Sequence, residues 1–225
     1  MAYDITNIAI EDYLASLMPP RPEALADLEQ RAHLRGLPLI GPVEGQFLYL
    51  LAKSINAREV LEIGTATGYA ALWLLRAVAP VGGHVTAIER QTERYQLAQE
   101  YAKRAGYGEC LRIREGDWFT ELAHEHGPYD LIFLDILRFF PDDQKAMQSL
   151  EKCLPLLRPG GLLIADNVLC NALVLEDDPA PTVRGIQQFN RAIMNHPELE
   201  SVIVPLRDGV AICRKRTAED EPVLN

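Results

Sequence analysis

Several large protein classes are excluded by what this sequence lacks. Cysteine is scarce: Cys110, Cys153, Cys170 and Cys213 stand apart, with no C-x-x-C pair among them. That spacing excludes a zinc-ribbon or redox-pair motif and reads as reduced, mostly buried thiols of a cytosolic protein. His33, His84, His124, His126 and His196 show no ligand spacing and read as surface or cap positions. No run reaches the ~18 apolar residues of a membrane span. The Met1–Leu14 segment has no basic stretch followed by an apolar one, so no signal peptide is expected and the location expected is cytoplasmic. Basic charge is also short: Lys+Arg number 22 against 32 Asp+Glu, a formal net charge of −10. A general phosphate-backbone binder needs a basic footprint, which this balance disfavours. A local groove built from Arg21, Arg31, Arg35, Arg138 and Arg184 stays open. There is no internal repeat and no low-complexity segment.

What is present is an ordinary globular composition, 48% apolar and 24% charged, in 225 residues. This length suits one large domain. Residues 1–55 read as a helical extension, 56–216 as the core, and 217–225 as an acidic tail expected to fray. Ile10, Tyr13, Leu14 and Leu17 fall at helical spacing and make one apolar stripe. Pro19, Pro20 and Pro22 break the chain. A second helix follows with Leu25, Leu28 and Ala32 inward, ended by Gly36 and Pro38, and a third starts near Pro42. From Arg58 the texture becomes strand, turn, helix. Strands are predicted at Glu59–Ile63, His84–Ile88, Leu111–Ile113, Leu131–Leu134, Leu162–Ala165, Ser201–Val204 and Val210–Cys213. Helical segments separate the first six, the mark of a parallel sheet in an α/β fold. Only Pro205–Gly209 joins the last two, too short for a crossover, so they form a hairpin with one antiparallel strand.

The run Glu62-Ile63-Gly64-Thr65-Ala66-Thr67-Gly68-Tyr69 is a strand end, a glycine-bounded turn and a helix start. Such a turn lets backbone approach a ligand closely. A dinucleotide fingerprint would place its second glycine where Ala66 stands, and the Ala66 Cβ would crowd a pyrophosphate. A ligand without phosphate, meeting the turn with an amino-acid end, suits it better. Glu89 at the second strand end suits the two hydroxyls of a ribose. Glu115-Gly116-Asp117-Trp118 after the third strand is placed to line a base. A glycine turn after a strand is often a mere tight connection, but these three features in order are jointly specific.

Two further strand ends carry hard oxygen atoms: Asp135 closes the fourth, and Asp166 with Asn167 closes the fifth. If those strands are neighbours, the three side chains meet at the carboxyl edge of the sheet. Two carboxylates and an amide, without His or Cys, suit Mg²⁺, Mn²⁺ or Ca²⁺ rather than zinc. Such a site could chelate two adjacent substrate oxygens and lower the pKa of a hydroxyl. For Asp135 alone a solvated strand cap is an equal reading. Trp73 reads as packing, and Trp118 as packing or a stacking platform.

Together these residues resemble the metal-dependent O-methyltransferases of the catechol and caffeoyl-CoA type. The likeness runs through Val43–Phe47, Leu61–Thr65, Ile88-Glu89-Arg90, Tyr129–Asp135, Arg158–Gly161, Ala165–Leu169 and Pro205–Cys213. It implies a Rossmann-like three-layer sandwich with a seven-stranded, mostly parallel sheet, its last strand antiparallel, S-adenosylmethionine as cofactor, and often a homodimer. It implies Asp135, Asp166 and Asn167 as metal ligands. The cofactor residues expected are Ile40, Glu62, Gly64, Thr65, Gly68, Tyr69, Glu89, Arg90, Gly116, Asp117, Trp118 and Asp135. Tyr13-Leu14, Pro19–Pro22, Asp166–Leu169 and Met194–Glu198 also resemble a bacterial branch that methylates 5-hydroxyuridine in tRNA. One position departs from the family. Arg138 stands where the family usually has a lysine base for the substrate hydroxyl. Arginine, with a pKa above ~12, is a poor base. Arg138 then stabilises an oxyanion, or another group such as Lys145 takes the proton, or the chain is slow on catechols. Three functions stay in view: a small-molecule O-methyltransferase, a tRNA 5-hydroxyuridine methyltransferase, and a non-catalytic S-adenosylmethionine-binding protein.

Overall fold

Each apolar run between turn residues becomes a strand, and each amphipathic stretch a helix. The computed structural model describes residues 5–220. Seven strands among them lie in one mixed sheet, in the order β3-β2-β1-β4-β5-β7-β6. By its internal contacts the chain divides into two compact units, one from Thr6 to His124 and one from Glu125 onward.

The Thr6–His124 unit contains α1 (Ile8–Ser16), α2 (Glu23–Arg35), α3 (Gly41–Ser54), β1 (Glu59–Ile63), α4 (Tyr69–Val78), β2 (His84–Glu89), α5 (Thr92–Arg104), β3 (Leu111–Glu115) and α6 (Trp118–Leu122). Strands β1, β2 and β3 pair in parallel, with Ile63 opposite Ile88 and Glu89 opposite Glu115. Their carboxyl ends therefore share one edge. α2 buries Leu25, Leu28 and Ala32, as its periodicity predicts, and ends on Gly36 in the left-handed conformation. The stripe on α1 is present but uncovered. No α1 residue is buried, and Tyr13 is 59% and Leu17 63% exposed.

The second unit contains β4 (Tyr129–Leu134), α7 (Lys145–Cys153), β5 (Leu157–Ala165), α8 (Pro181–Asn195), β6 (Leu199–Val204) and β7 (Val210–Lys215). β4 and β5 are parallel neighbours, and β7 runs antiparallel to both β5 and β6, which gives the expected hairpin. β5 begins at Leu157, ahead of the expected Leu162, because Arg158-Pro159-Gly160-Gly161 enters the ladder through a register shift opposite Tyr129–Leu131. In sequence that tetrapeptide reads as a turn; the shift lets Pro and Gly sit at a strand start. The tail expected to fray is held as far as Asp220. The Asp220 carboxylate accepts from Thr217 N at 2.7 Å, Thr217 Oγ1 at 2.8 Å and Arg214 Nη1 at 2.7 Å. The Thr217 backbone bond is foremost in keeping this carboxyl low, at about 2. The rest of the expected tail, 221–225, lies outside the described residues.

Cys153, Cys170 and Cys213 are buried free thiols, and Cys110 is half-buried. Among the described residues no helix is long and apolar enough to cross a membrane.

Gly45 shows why the Val43–Phe47 run has its composition. A Cβ there would sit 2.2 Å from Trp73 Nε1, so α3 reaches the buried Trp73 of α4 only without one. Alanine normally favours a helix interior over glycine by about 1 kcal/mol. Gly45→Ala is nevertheless expected to destabilise by about 1–3 kcal/mol through overpacking, read as a lower urea midpoint. A raised midpoint would show that α3 shifts away at no cost.

Candidate active site

The glycine-bounded turn after β1 is organised by a carboxylate that solvent does not reach. Glu62 is 1% exposed. It accepts a short bond from Thr65 Oγ1 and another from the Ala71 backbone N–H in the first turn of α4. One side chain thus grips both ends of the turn and caps the helix that follows. Burial is the main cause that pushes its carboxyl up to about 7, with the Glu89 charge adding to the rise. Gly64 N and Thr65 N donate to Ile88 O at 3.1 and 3.3 Å, and Gly68 N donates to Thr65 O at 2.8 Å. Gly68 has φ +84, and a Cβ there would meet the Ala98 Cβ at 2.6 Å; only glycine fits.

Glu89 ends β2 with its carboxylate buried and fixed. Oε2 accepts from Ala66 N at 2.9 Å and Oε1 from Gln91 N at 2.9 Å. Each oxygen keeps further acceptor capacity for hydroxyls. Ala66, at φ +47, spends its N–H on this carboxylate. That decides against a pyrophosphate more firmly than the Cβ does, since an anion there would face Glu89. Thr67 Oγ1 is buried without a hydrogen-bond partner. A group of the bound ligand would satisfy it. Thr67 was not legible as a site residue; a hydroxyl between two glycines of a ligand loop is the signal available.

Apart from Asp135, the other expected cofactor residues are spread along the same unit. Ile40 is buried at the start of α3. The Tyr69 hydroxyl donates to Glu29 Oε1 at 2.7 Å, and Glu29 is held in a fork by Arg21 at 3.0 and 2.9 Å. Its phenol therefore ties α4 to α2. Arg90 is exposed, and Gly116 N donates to Glu89 O at 3.1 Å. Asp117 caps α6, accepting from Phe119 N at 3.0 Å and Thr120 N at 3.3 Å. Half-buried Trp118 meets the Phe119 ring edge-on, with centroids 3.9 Å apart.

In the second unit the acids at the sheet edge come together as their strand ends do. Leu134 pairs with Ala165, so Asp135 and Asp166 leave adjacent strands side by side. Asp166 is 4% and Asn167 7% exposed. Asp166 Oδ1 accepts from Asn167 N at 2.6 Å, and Asn167 has φ +61, which asparagine tolerates. Burial raises the Asp166 carboxyl well above its ordinary range. Asn167 Oδ1 is buried without a hydrogen-bond partner. An amide oxygen left so costs about 1–3 kcal/mol, which a cation ligated there would offset. The donor set thus fits a hard divalent ion. Among the described residues no group of three or more His, Cys, Asp or Glu could hold a metal; this set has two acids and an amide. Arg138 lies in a short turn, Leu137–Phe139, exposed, its guanidinium 5.1 Å from the Phe139 ring. Lys145, the other suggested base, has Nζ 4.0 Å from Asp142. Of the arginines considered for a basic groove, Arg21 pairs with Glu29, and Arg184 with Asp143 and Asp178.

A family model described as O-methyltransferase matches residues 21–216. The chain belongs to the O-methyltransferase family. It is similar to a catechol O-methyltransferase from Niastella koreensis, 31% identical over 216 residues, covering 91% of this chain and 95% of that one. It is 30% identical over 217 residues to caffeoyl-CoA O-methyltransferase 5 of Nicotiana tabacum, covering 90% and 88%. Among solved structures it resembles the O-methyltransferase from Bacillus cereus in complex with SAH, at TM-score 0.79 and 28% identity over 92% and 97% of the two chains.

In this methyltransferase the buried Glu62 gives a pH dependence with a defined sign. Its folded pKa lies above the ordinary 4.5. Its contribution to stability is therefore full below pH 4.5 and drains as pH rises through about 7. Ligand-free Glu62→Gln, which keeps an acceptor for Thr65, is expected to lose about 1–3 kcal/mol less than the wild type between pH 4 and 8. Thermal unfolding across that range checks it; identical slopes would place the ionisation elsewhere.

Proposed function

We propose that the chain transfers a methyl group from S-adenosylmethionine to one hydroxyl of a catechol-like small molecule, with a divalent cation, Mg²⁺ first, held by Asp135, Asp166 and Asn167. Family membership supplies the reaction class. The observation that carries the metal is the buried Asn167 Oδ1 without a partner, beside an acid whose burial raises its pKa. On the donor side, two buried carboxylates, Glu62 and Glu89, surround the turn. They suit a ligand with positive charge and ribose hydroxyls and repel a polyphosphate.

When bound, S-adenosylmethionine supplies an electrophilic methyl on a sulfonium, and the cation supplies chelation of neighbouring oxygens and acidification of a hydroxyl. The chain's own part is placement. Glu62 shapes the turn, Glu89 presents oriented acceptors to the ribose, and Asp135, Asp166 and Asn167 offer the oxygen ligands. Arg138 cannot accept the hydroxyl proton and serves as a fixed positive charge for the oxyanion. The apolar stripe of α1 supports a homodimer, since a face of this kind is usually covered by a partner.

A methyl-transfer assay with catechol and radiolabelled donor tests the reading. Chelation is expected to lower turnover about 100-fold or more, with Mg²⁺ restoring it, and Asp166→Ala or Asn167→Ala should do the same irreversibly. Turnover that survives chelation overturns the metal, and no product with any cation overturns the acceptor. Arg138→Lys is expected to raise turnover about tenfold by providing a group that can shed its proton.

A further inference from the structure

Past the end of β5 the backbone turns left-handed repeatedly without using glycine. Asn167 has φ +61, and Cys170, Asn171 and Ala172 follow as an unbroken run at +47, +52 and +63. In this conformation a Cβ crowds the following carbonyl; of these residue types only asparagine visits it readily, and then singly. A run that includes cysteine and alanine persists only where surrounding bonds over-determine it. One such bond is local: Cys170 N donates to Asn167 O at 3.3 Å, which closes Asn167 onto the start of the run. The shape of the corner after Asp166 therefore depends on what restrains the run.

The β6–β7 connection supplies three restraints. Val168 N donates to Gly209 O at 3.1 Å and Leu169 N to Asp208 O at 2.9 Å. A Cβ on Gly209 would meet Leu169 Cγ at 2.4 Å, so the two segments lie in close contact. Those two bonds are backbone bonds, which most residues at 208 would also provide. The third belongs to the side chain of Asp208. Asn171 N, at the middle of the left-handed run, donates to Asp208 Oδ1 at 2.5 Å. Asp208 Oδ2 is buried without a hydrogen-bond partner, so the carboxylate is committed to the run. From α8, Asn190 Nδ2 donates to Val168 O at 2.7 Å and steadies the same segment. A short continuous path results: Asp208 Oδ1 to Asn171 N, the adjoining Cys170, and Cys170 N to Asn167 O. It ends on the residue whose buried, unpartnered Oδ1 is offered to the cation.

We propose that Asp208 is a positioning residue for the divalent cation: by holding Asn171 N it keeps the left-handed run in place and so sets the Asn167 amide oxygen beside Asp166. This rests on the metal reading above. The test is titration of the protein with Mn²⁺ alone, the free ion read by electron paramagnetic resonance, with SAH titrated separately by calorimetry. Asp208→Ala is expected to weaken Mn²⁺ binding about tenfold or more. Two further variants separate geometry from charge. Asp208→Asn keeps an oxygen for Asn171 N without the charge, and should stay within about threefold of the wild type. Asp208→Glu keeps the charge on an arm one methylene longer, and should lose about as much as Asp208→Ala. SAH affinity should be unchanged in all three, since the glycine-bounded turn belongs to the Thr6–His124 unit. If Asp208→Ala does not fold, the other two variants carry the test between them. Asp208→Ala or Asp208→Glu at wild-type Mn²⁺ affinity, or Asp208→Asn as weak as Asp208→Ala, overturns the inference. A parallel loss of SAH affinity also overturns it, because Asp208 then serves folding in general. A wild type that takes up no Mn²⁺ removes the metal reading itself, and the inference with it.

Discussion

A carboxylate sealed inside a protein has to be held by donors or neutralised, and Glu62 is held where the glycine-bounded loop between β1 and α4 turns. Its bonds to Thr65 and to the first turn of α4 make the turn, the helix start and the strand end one unit. Glu89, one strand over, fixes Ala66 in the same way. The loop is therefore shaped by the protein's own acids before any ligand arrives. Preorganisation of this kind spares a ligand the ordering of its own binding loop. It also selects the ligand's charge, because two buried acids tolerate hydroxyls and cations and reject phosphates.

The second unit uses parallel pairing to a similar end. The Leu134–Ala165 register sets Asp135 beside Asp166, and the left-handed Asn167 continues the corner. The β6–β7 turn is fastened to the next few residues, which adds Arg207 and Asp208 to the same edge. The result is a cluster of mixed charge in which orphaned acceptor oxygens, on Asn167 and Asp208, mark where polar partners are missing.

Much of this was legible beforehand, for identifiable reasons. Strand cores are readable because apolar runs between turn residues have few alternatives, and the hairpin because a five-residue link cannot cross a sheet. Glu89, Asp135 and Asp166 are readable as strand-end acids because each closes or directly follows an apolar run. β5 was read short because Pro159 and Gly160 signal a turn unless a register shift admits them. The bond of the Tyr69 phenol to Glu29 and the Asp117 cap on α6 are not readable in this way. Local partners such as these depend on helices far apart in sequence or on the exact turn geometry.

The sequence by itself determined the α/β texture, the glycine-bounded loop and the identity of the acids at the strand ends. These depend on periodicity, on residue type and on neighbours a few positions away. Only the tertiary structure decided which oxygen atoms are spent on backbone N–H groups and which are left without partners. It also brought Arg207 and Asp208 to the Asp166 corner and left the α1 stripe uncovered. Burial and hydrogen-bond satisfaction depend on segments distant in the chain, and no local pattern of residues encodes them.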